Sequence, residues 1–376
     1  MHVVVATHWM PWDKTGGTEV HCHELATALA ALPDVQVSVV AYTTNAPPAD
    51  LPYSFVDLST RWLRFLDKEQ GRGRGNALAH WLHERALNRR MVRLARHLGA
   101  DVLHRQAATP FRVRAPMPVV ITLHRSNIPA DDAVPSGFLH RLAYPLGALL
   151  RAIRSRGIRR SLDRADAVIA VSDHAVRNVV RRLGVAREAN VIANGCAPPR
   201  SVPAKAAARK RLAVPAKARV VLFLGRVHPE KRPERLLALL DEPDLVLAFG
   251  GAGPLVEPLR ARSATEPRLR VPGFLSEAEK ADWLAAADVV ALPSGVFETQ
   301  PIVLLEALRV GTPVWGTYSE WLPAPLRRFG RFGDDVRGAL EAARLDARPA
   351  AALVPTWDDA AWATLAVYRL AVGQAS

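Results

Sequence analysis

The feature that most limits how this chain can fold is a rhythm of short, unbroken apolar runs separated by helical stretches, and the rhythm occurs twice. In the first half the runs are His2–Thr7, Val35–Tyr42, Asp101–Arg105, Pro118–Leu123 and Ala167–Val171. In the second they are Arg219–Gly225, Leu245–Phe249, Leu269–Pro272, Val289–Pro293 and Pro313–Trp315. Most are solidly apolar rather than alternating, the pattern of parallel strands covered on both faces. Helical patterns fall between them, at Thr18–Leu32, Asp173–Leu183, Pro233–Leu240, Glu277–Ala286 and Pro301–Val310. Strand–helix alternation predicts an open α/β sheet, and its double occurrence predicts two such sheets in two domains. A length of 376 residues fits two domains of about 150 each.

The break between them falls at Asn194-Gly195-Cys196-Ala197-Pro198-Pro199, whose Asn-Gly and Pro-Pro steps punctuate the chain. The expected organisation is a first domain over 1–196, a linker over 197–218 and a second domain over 219–355. A final helix over 356–376 then starts at the cap Thr356-Trp357-Asp358-Asp359. No run reaches the roughly 18 apolar residues of a spanning helix. Residues 1–6 are apolar but lead into His8, Pro11, Trp12 and Asp13, not into a small-residue cleavage site. Two cysteines, Cys22 and Cys196, do not make a disulfide framework. The expected location is therefore cytoplasmic.

The chemistry concentrates at strand ends. After Asp288–Ser294, Glu298-Thr299-Gln300-Pro301-Ile302 leads into a helix that carries Glu306, and Pro301 suits its first turn. Backbone N–H groups there suit a diphosphate or a sugar hydroxyl. Glu306 lies among Leu304, Leu305, Ala307 and Leu308, where a carboxylate needs partners such as ribose hydroxyls. Gly225 ends an apolar run, and Arg226 and Lys231 follow on the loop, two cations fitted to a departing diphosphate. Gly16-Gly17-Thr18-Glu19 opens the first helix, and His124 ends the run Pro118–Leu123, where open α/β sheets take ligands. His21-Cys22-His23-Glu24 is rejected as a metal site, because residues two apart on a helix point nearly opposite ways. Each feature alone also has a structural reading as a turn, a cap or a solvated ion.

Taken in order, these motifs resemble the family 4 retaining glycosyltransferases. The resemblance runs from Gly16-Gly17…Glu19 and His124 through Ala165–Ser172, Asn194-Gly195, Gly225-Arg226…Lys231, Gly251-Ala-Gly253-Pro254 and Gly273-Phe274. It ends with Ala287-Asp288…Pro293-Ser294, Glu298…Glu306 and Gly311-Thr-Pro313-Val314. It implies a GT-B architecture, two Rossmann-like domains facing across a cleft, with the last helix crossing back onto the first domain. It further implies a nucleotide-sugar donor as co-substrate, no resident cofactor and no metal. Glu298, His124, Arg226 and Lys231 would carry catalysis. Gly16, Gly17, Thr299, Gln300, Pro301, Ile302 and Glu306 would bind the donor, Glu306 on the ribose. The acceptor would present a free hydroxyl.

Two departures stand out. Thr299-Gln300-Pro301 occupies a place where the family often has an aromatic and a glycine, and Arg232 follows Lys231 where glycine is frequent. The charge of +14 is also uneven. Residues 1–199 hold 26 Lys/Arg against 16 Asp/Glu, and 200–376 hold 24 against 20. Arginines interleave with apolar residues along 61–96 and 138–164, which raises an anionic membrane surface as a partner. Ordinary packing on the sheet is the competing reading. A nucleic-acid partner would explain the charge but not the second-half motifs, and none is expected. A GT-B sugar-nucleotide epimerase and a non-catalytic binding subunit are the alternatives to transfer.

Overall fold

The computed structural model describes residues 1–13, 16–60, 63, 77–111, 114–124, 138–197, 199, 201–295, 298–346, 348 and 351–375. They form two compact units, Met1–Ile192 with Trp357–Ser376, and Ala193–Thr356.

The first unit is built on seven strands: β1 (His2–Ala6), β2 (Gln36–Ala41), β3 (Ser54–Asp57), β4 (Val102–Arg105), β5 (Val119–Leu123), β6 (Ala167–Ala170) and β7 (Ala189–Val191). Every pairing is parallel, in the order β3-β2-β1-β4-β5-β6-β7. Its principal helices are α1 (Gly17–Ala30), α2 (Ala77–His97) and α3 (Phe138–Asp163). The second unit has six strands: β8 (Arg219–Leu224), β9 (Leu245–Gly250), β10 (Leu269–Gly273), β11 (Val289–Leu292), β12 (Val314–Gly316) and β13 (Gly330–Phe332). These are also all parallel, in the order β10-β9-β8-β11-β12-β13. Helices α4 (Glu277–Ala286) and α5 (Ile302–Arg309) flank it, and α6 (Trp357–Ala375) returns to pack on α1. Both orders are doubly wound, so the Rossmann-like reading of each half holds.

The central strands are buried from end to end, as their sequences require: β4, β5, β9 and β11 expose no residue. Elsewhere the expected elements shift. The stretch Asp173–Leu183 forms one α turn (Asp173–Ala175) and then a π-helix (Val176–Arg181). Pro233–Asp241 winds as a 3-10 helix. Pro301 caps α5 in an extended conformation instead of entering its first turn. No helix among the described residues is long and apolar enough to cross a membrane.

Glycines fix how closely the loops at the top of the second sheet can approach. Gly251 has φ 132°, and a Cβ there would collide with the Gly225 carbonyl oxygen. Gly253, at φ 152°, stands in the same relation to the Val227 carbonyl. The Gly250–Pro254 turn is thereby laid directly on the Gly225–Val227 loop and tied to it by Gly225 N–H to Gly250 O (3.1 Å) and Val227 N–H to Ala252 O (2.9 Å). Gly251→Ala should therefore destabilise the second unit by roughly 2 kcal/mol or more. Gly311→Ala has a similar positive φ of 84° but open space around it, and should cost less. Thermal unfolding of the two variants checks this; equal melting temperatures would mean that backbone proximity at Gly251 is not the constraint.

Candidate active site

Each sheet reverses its direction of growth at its first strand: β1 stands between β2 and β4, and β8 between β9 and β11. Loops leaving the carboxyl ends of such neighbours diverge, and that is where open α/β sheets take ligands. The two candidate constellations sit at these two reversals, one in each unit.

In the second unit, the loop after β8 carries Gly225, Arg226 and Lys231, and the loop after β11 carries Glu298 to Pro301. Because β8 and β11 are neighbours, residues far apart in sequence meet: the Lys231 ammonium and the Glu298 carboxylate form an ion pair, both largely shielded from solvent. The loop holding Glu298 is pinned from beneath. Trp321, fully buried, donates its indole N–H to the Glu298 carbonyl at 2.9 Å. Glu298 N–H reaches the Gly295 carbonyl at 3.2 Å. Thr299 and Gln300 are buried. Gln300 accepts the Asn194 backbone N–H on its Oε1 at 2.5 Å, and its own carbonyl accepts Asn194 Nδ2 at 3.2 Å. Its Nε2 amide has no partner among the described residues, a costly condition for a buried donor.

One turn into α5, beyond Ile302, Glu306 meets a residue that sequence reasoning missed. Lys280, on α4, places Nζ 2.8 Å from Glu306 Oε1 and 2.9 Å from Glu277 Oε2. Burial pulls the Lys280 pKa down, but the Glu306 charge and hydrogen bond outweigh it and the balance lies above the usual lysine range. The buried Cys196 thiol, near the same carboxylate, is pushed up to about 12, by burial first and Glu306 second. Arg226 is exposed, and its guanidinium lies 3.3 Å from Glu230, a surface pair of little strength.

Arg232 explains its own oddity. Its backbone is left-handed, φ 52° and ψ 39°, a conformation that glycine adopts freely and a side-chain-bearing residue does not. Its guanidinium lies beside Gly295 on the Glu298 loop.

In the first unit, His124 ends β5 and its Nε2 lies 2.6 Å from Gln106 Oε1. His21, four residues into α1, packs edge-on against it with ring centroids 4.2 Å apart, and against Trp357 of α6 at 5.4 Å. His104, the buried third member, lies 2.7 Å from Thr122 Oγ1 and 2.5 Å from Tyr368 Oη. Burial, with His21 nearby, holds the His104 pKa down to about 3; burial first, and then His21 and His104, hold His124 well below the histidine range. His23 turns away and bonds Tyr53 Oη at 2.7 Å, so the two histidines of the rejected metal motif serve different neighbours. Gly16 caps α1, where a Cβ would strike the Glu19 side chain, whereas none of the described residues crowds Gly17. The loop before them is anchored by Asp13 Oδ1, which accepts Thr44 N–H (2.7 Å) and Asn45 N–H (3.0 Å). His104, Gln106 and Lys280 carried no sequence signal beyond residue type, and His21 only that of the rejected metal motif; topology groups them.

Sequence comparison adds two family models: "Glycosyltransferase Family 4" matches residues 15–200 and "Glycosyl transferases group 1" matches 204–320. A D-inositol 3-phosphate glycosyltransferase of Thermobispora bispora is 38% identical over 127 residues, 29% of each chain. The chain spans about half or less of the length of the curated relatives it matches, reaching 52% for the homologous protein of Streptomyces avermitilis. Among solved structures, sucrose-phosphate synthase from Thermosynechococcus elongatus superposes with a TM-score of 0.66 at 16% identity, covering 99% of this chain and 97% of its own. HepE from Anabaena, solved with UDP, gives 0.62 at 18% identity, covering 100% and 97%. At such identity these neighbours speak for the fold, the GT-B architecture of two parallel-sheet α/β domains. With both family models in sequence order along it, the chain belongs to the family 4 glycosyltransferases.

Two outcomes follow from the geometry. Histidines with depressed folded pKa values bind fewer protons folded than unfolded, so their contribution is complete above the unfolded pKa of about 6.5 and is lost as pH falls below it. Moving from pH 7 to 5 should cost about 2 kcal/mol through His104 alone, and His104→Gln should flatten the acid limb of the melting-temperature profile. An unchanged acid limb in that variant would refute the assignment. Arg232→Gly should raise stability by up to about 1 kcal/mol by releasing the left-handed backbone, while Arg232→Ala should not; calorimetric melting of both checks it.

Proposed function

We propose that this chain is a retaining glycosyltransferase that moves a sugar from a nucleoside-diphosphate sugar to an acceptor hydroxyl, with no metal and no resident cofactor. The observation that supports it best is the meeting of Lys231 with Glu298 at the reversal of the second sheet, within a chain matched by both glycosyltransferase models. Residues 219–355 would form the donor side and 1–196 the acceptor side, joined by 197–218, with the helix over 356–376 packed on the first.

In this reading Arg226 and Lys231 hold the diphosphate. An arriving phosphate competes with Glu298 for Lys231 and releases the Glu298 carboxylate to accept sugar hydroxyls. Gln300, whose Nε2 has no partner among the described residues, and the backbone of Thr299 to Ile302 complete the donor loop; Glu306 takes the ribose hydroxyls in exchange for part of its bond to Lys280. As the anomeric C–O bond breaks, negative charge gathers on the leaving diphosphate, and the two cations stabilise it. The acceptor oxygen bonds to the anomeric carbon from the face the diphosphate leaves, its proton passing to a departing phosphate oxygen, so configuration is kept. His124, held neutral, serves as a hydrogen-bonding group toward the sugar, with Gly16 and Gly17 giving backbone access nearby. The relative solved with UDP makes a uridine nucleotide the first donor to test. The excess of basic residues in 1–199 is read as a surface for an anionic membrane near which the acceptor is held.

The test is a thermal-shift series with UDP, GDP, ADP, TDP and CDP on the whole chain, Lys231→Ala and Glu306→Ala. One base should raise the melting temperature, and each substitution should weaken that binding about tenfold or more. No shift with any nucleotide at millimolar concentration would sink the donor site. With the donor named, proton NMR of the product's anomeric signal should show the donor's configuration, and added EDTA should leave the rate unchanged.

A further inference from the structure

Away from both constellations, the outer face of α2 forms one wall of a cavity of about 760 Å³. Leu87, Met91 and Ala95 turn inward and are buried, which fixes what faces outward. Trp81, Arg85, Arg89, Val92, Arg93 and Arg96 fall in one stripe, at spacings of three and four with the Arg89–Val92–Arg93 step between. The stripe runs for about 22 Å along the helix. The segment after β4 supplies the other wall through Phe111, Arg114 and Pro116.

Five arginines thus line the cavity, and among the described residues no carboxylate does. Arg85 stacks over the Trp81 ring at 5.1 Å, and Trp81 meets Phe111 edge-on with centroids 5.5 Å apart, so the aromatic end is ordered by its own contacts. Glu84, on the same helix, is already committed: it receives a two-pronged bond from Arg154, both prongs 3.1 Å. Behind the lining Asn88 lies a further guanidinium, Arg105, 3% exposed and hydrogen-bonded to the Asn88 side chain; its Nη1 has no partner among the described residues. Five guanidiniums lining one concave space, with a sixth behind it, repel one another, and that arrangement is stabilised by an anion with several acceptor oxygens. A planar fork matches phosphate oxygens two at a time, and the volume is in the range of small-ligand sites.

We infer that this cavity binds phosphate ester groups, with two or more phosphates spread along the α2 stripe. It deepens the membrane contact proposed above, on which only its lipid source rests; a soluble phosphorylated compound is the other source of the same chemistry. The exposed Trp81 at one end suits a lipid interface.

The test uses the whole chain and the double variant Arg89→Glu with Arg93→Glu, both exposed positions. Arg96→Gln with Arg114→Gln serves as a second pair should the first not fold. Flotation with phosphatidylglycerol vesicles, against phosphatidylcholine vesicles, reads the lipid source; calorimetric titration with tripolyphosphate reads the soluble one. Loss of vesicle binding by tenfold or more in the variant supports the cavity with lipid phosphate as ligand. The same loss for tripolyphosphate alone supports it with a soluble ligand. If the unaltered chain binds and the variant binds equally, the cavity assignment is wrong while the membrane reading stands. If the unaltered chain binds neither, both are wrong. Tripolyphosphate binding that falls with Lys231→Ala but not with charge reversal on α2 belongs to the second unit and counts against the cavity.

Discussion

Everything functional in this chain follows from strands that are parallel and covered on both faces. Such strands need crossovers to connect them, and their side chains are committed to the core, so polar chemistry is confined to their ends. Burial of β8, β9 and β11 leaves the loops after them as the places where charge can stand at little cost. The order β10-β9-β8-β11 then decides which loops are neighbours. A glycine-lined contact between the loops after β8 and β9 is the steric result, and the ion pair between the loops after β8 and β11 is the electrostatic one.

That electrostatic result has a pattern. Both carboxylates that the proposed function gives to donor hydroxyls already hold an ammonium, Glu298 with Lys231 and Glu306 with Lys280. Pairing spares each carboxylate the full cost of partial burial and fixes where its oxygens point. The pairs are not locked away: Glu298 and Glu306 side chains keep 17% and 25% of their exposure. At that depth the attraction is moderate, so an incoming anion or hydroxyl exchanges one partner for another instead of stripping a bare charge.

The core was legible because continuous apolar runs leave no other use for themselves. Strands β3, β7 and β13 were not, since they are three or four residues long and partly exposed and their sequences, Ser-Phe-Val-Asp, Ala-Asn-Val and Gly-Arg-Phe, carry no such run. At the site, Glu298, Lys231 and Glu306 stood out because they follow strand ends in a recognisable order. Their partners did not: Lys280 is one lysine on a mixed helix, and His104 reads as one more residue of a strand. Pairing is a property of the topology. Arg232 lies between these cases, because the sequence marked it as unusual and only its backbone angles say why.

The two units divide the chemistry by charge. In the second, Arg226 and Lys231 supply full positive charges at a loop where a leaving diphosphate would need them. In the first, burial of His104 and His124, with His21 beside them, makes protonation of those two imidazoles expensive. Burial and the nearby His21 and His104 imidazoles disfavour a cation at His124, and the amide oxygen of Gln106, 2.6 Å from its Nε2, carries no charge. The histidine at the end of β5 is therefore held neutral. Under the proposed reaction this division has a physical reason, since a sugar hydroxyl is held by direction and a diphosphate by charge. A cation placed at the sugar would stabilise the diphosphate less and would oppose the positive charge developing at the anomeric carbon.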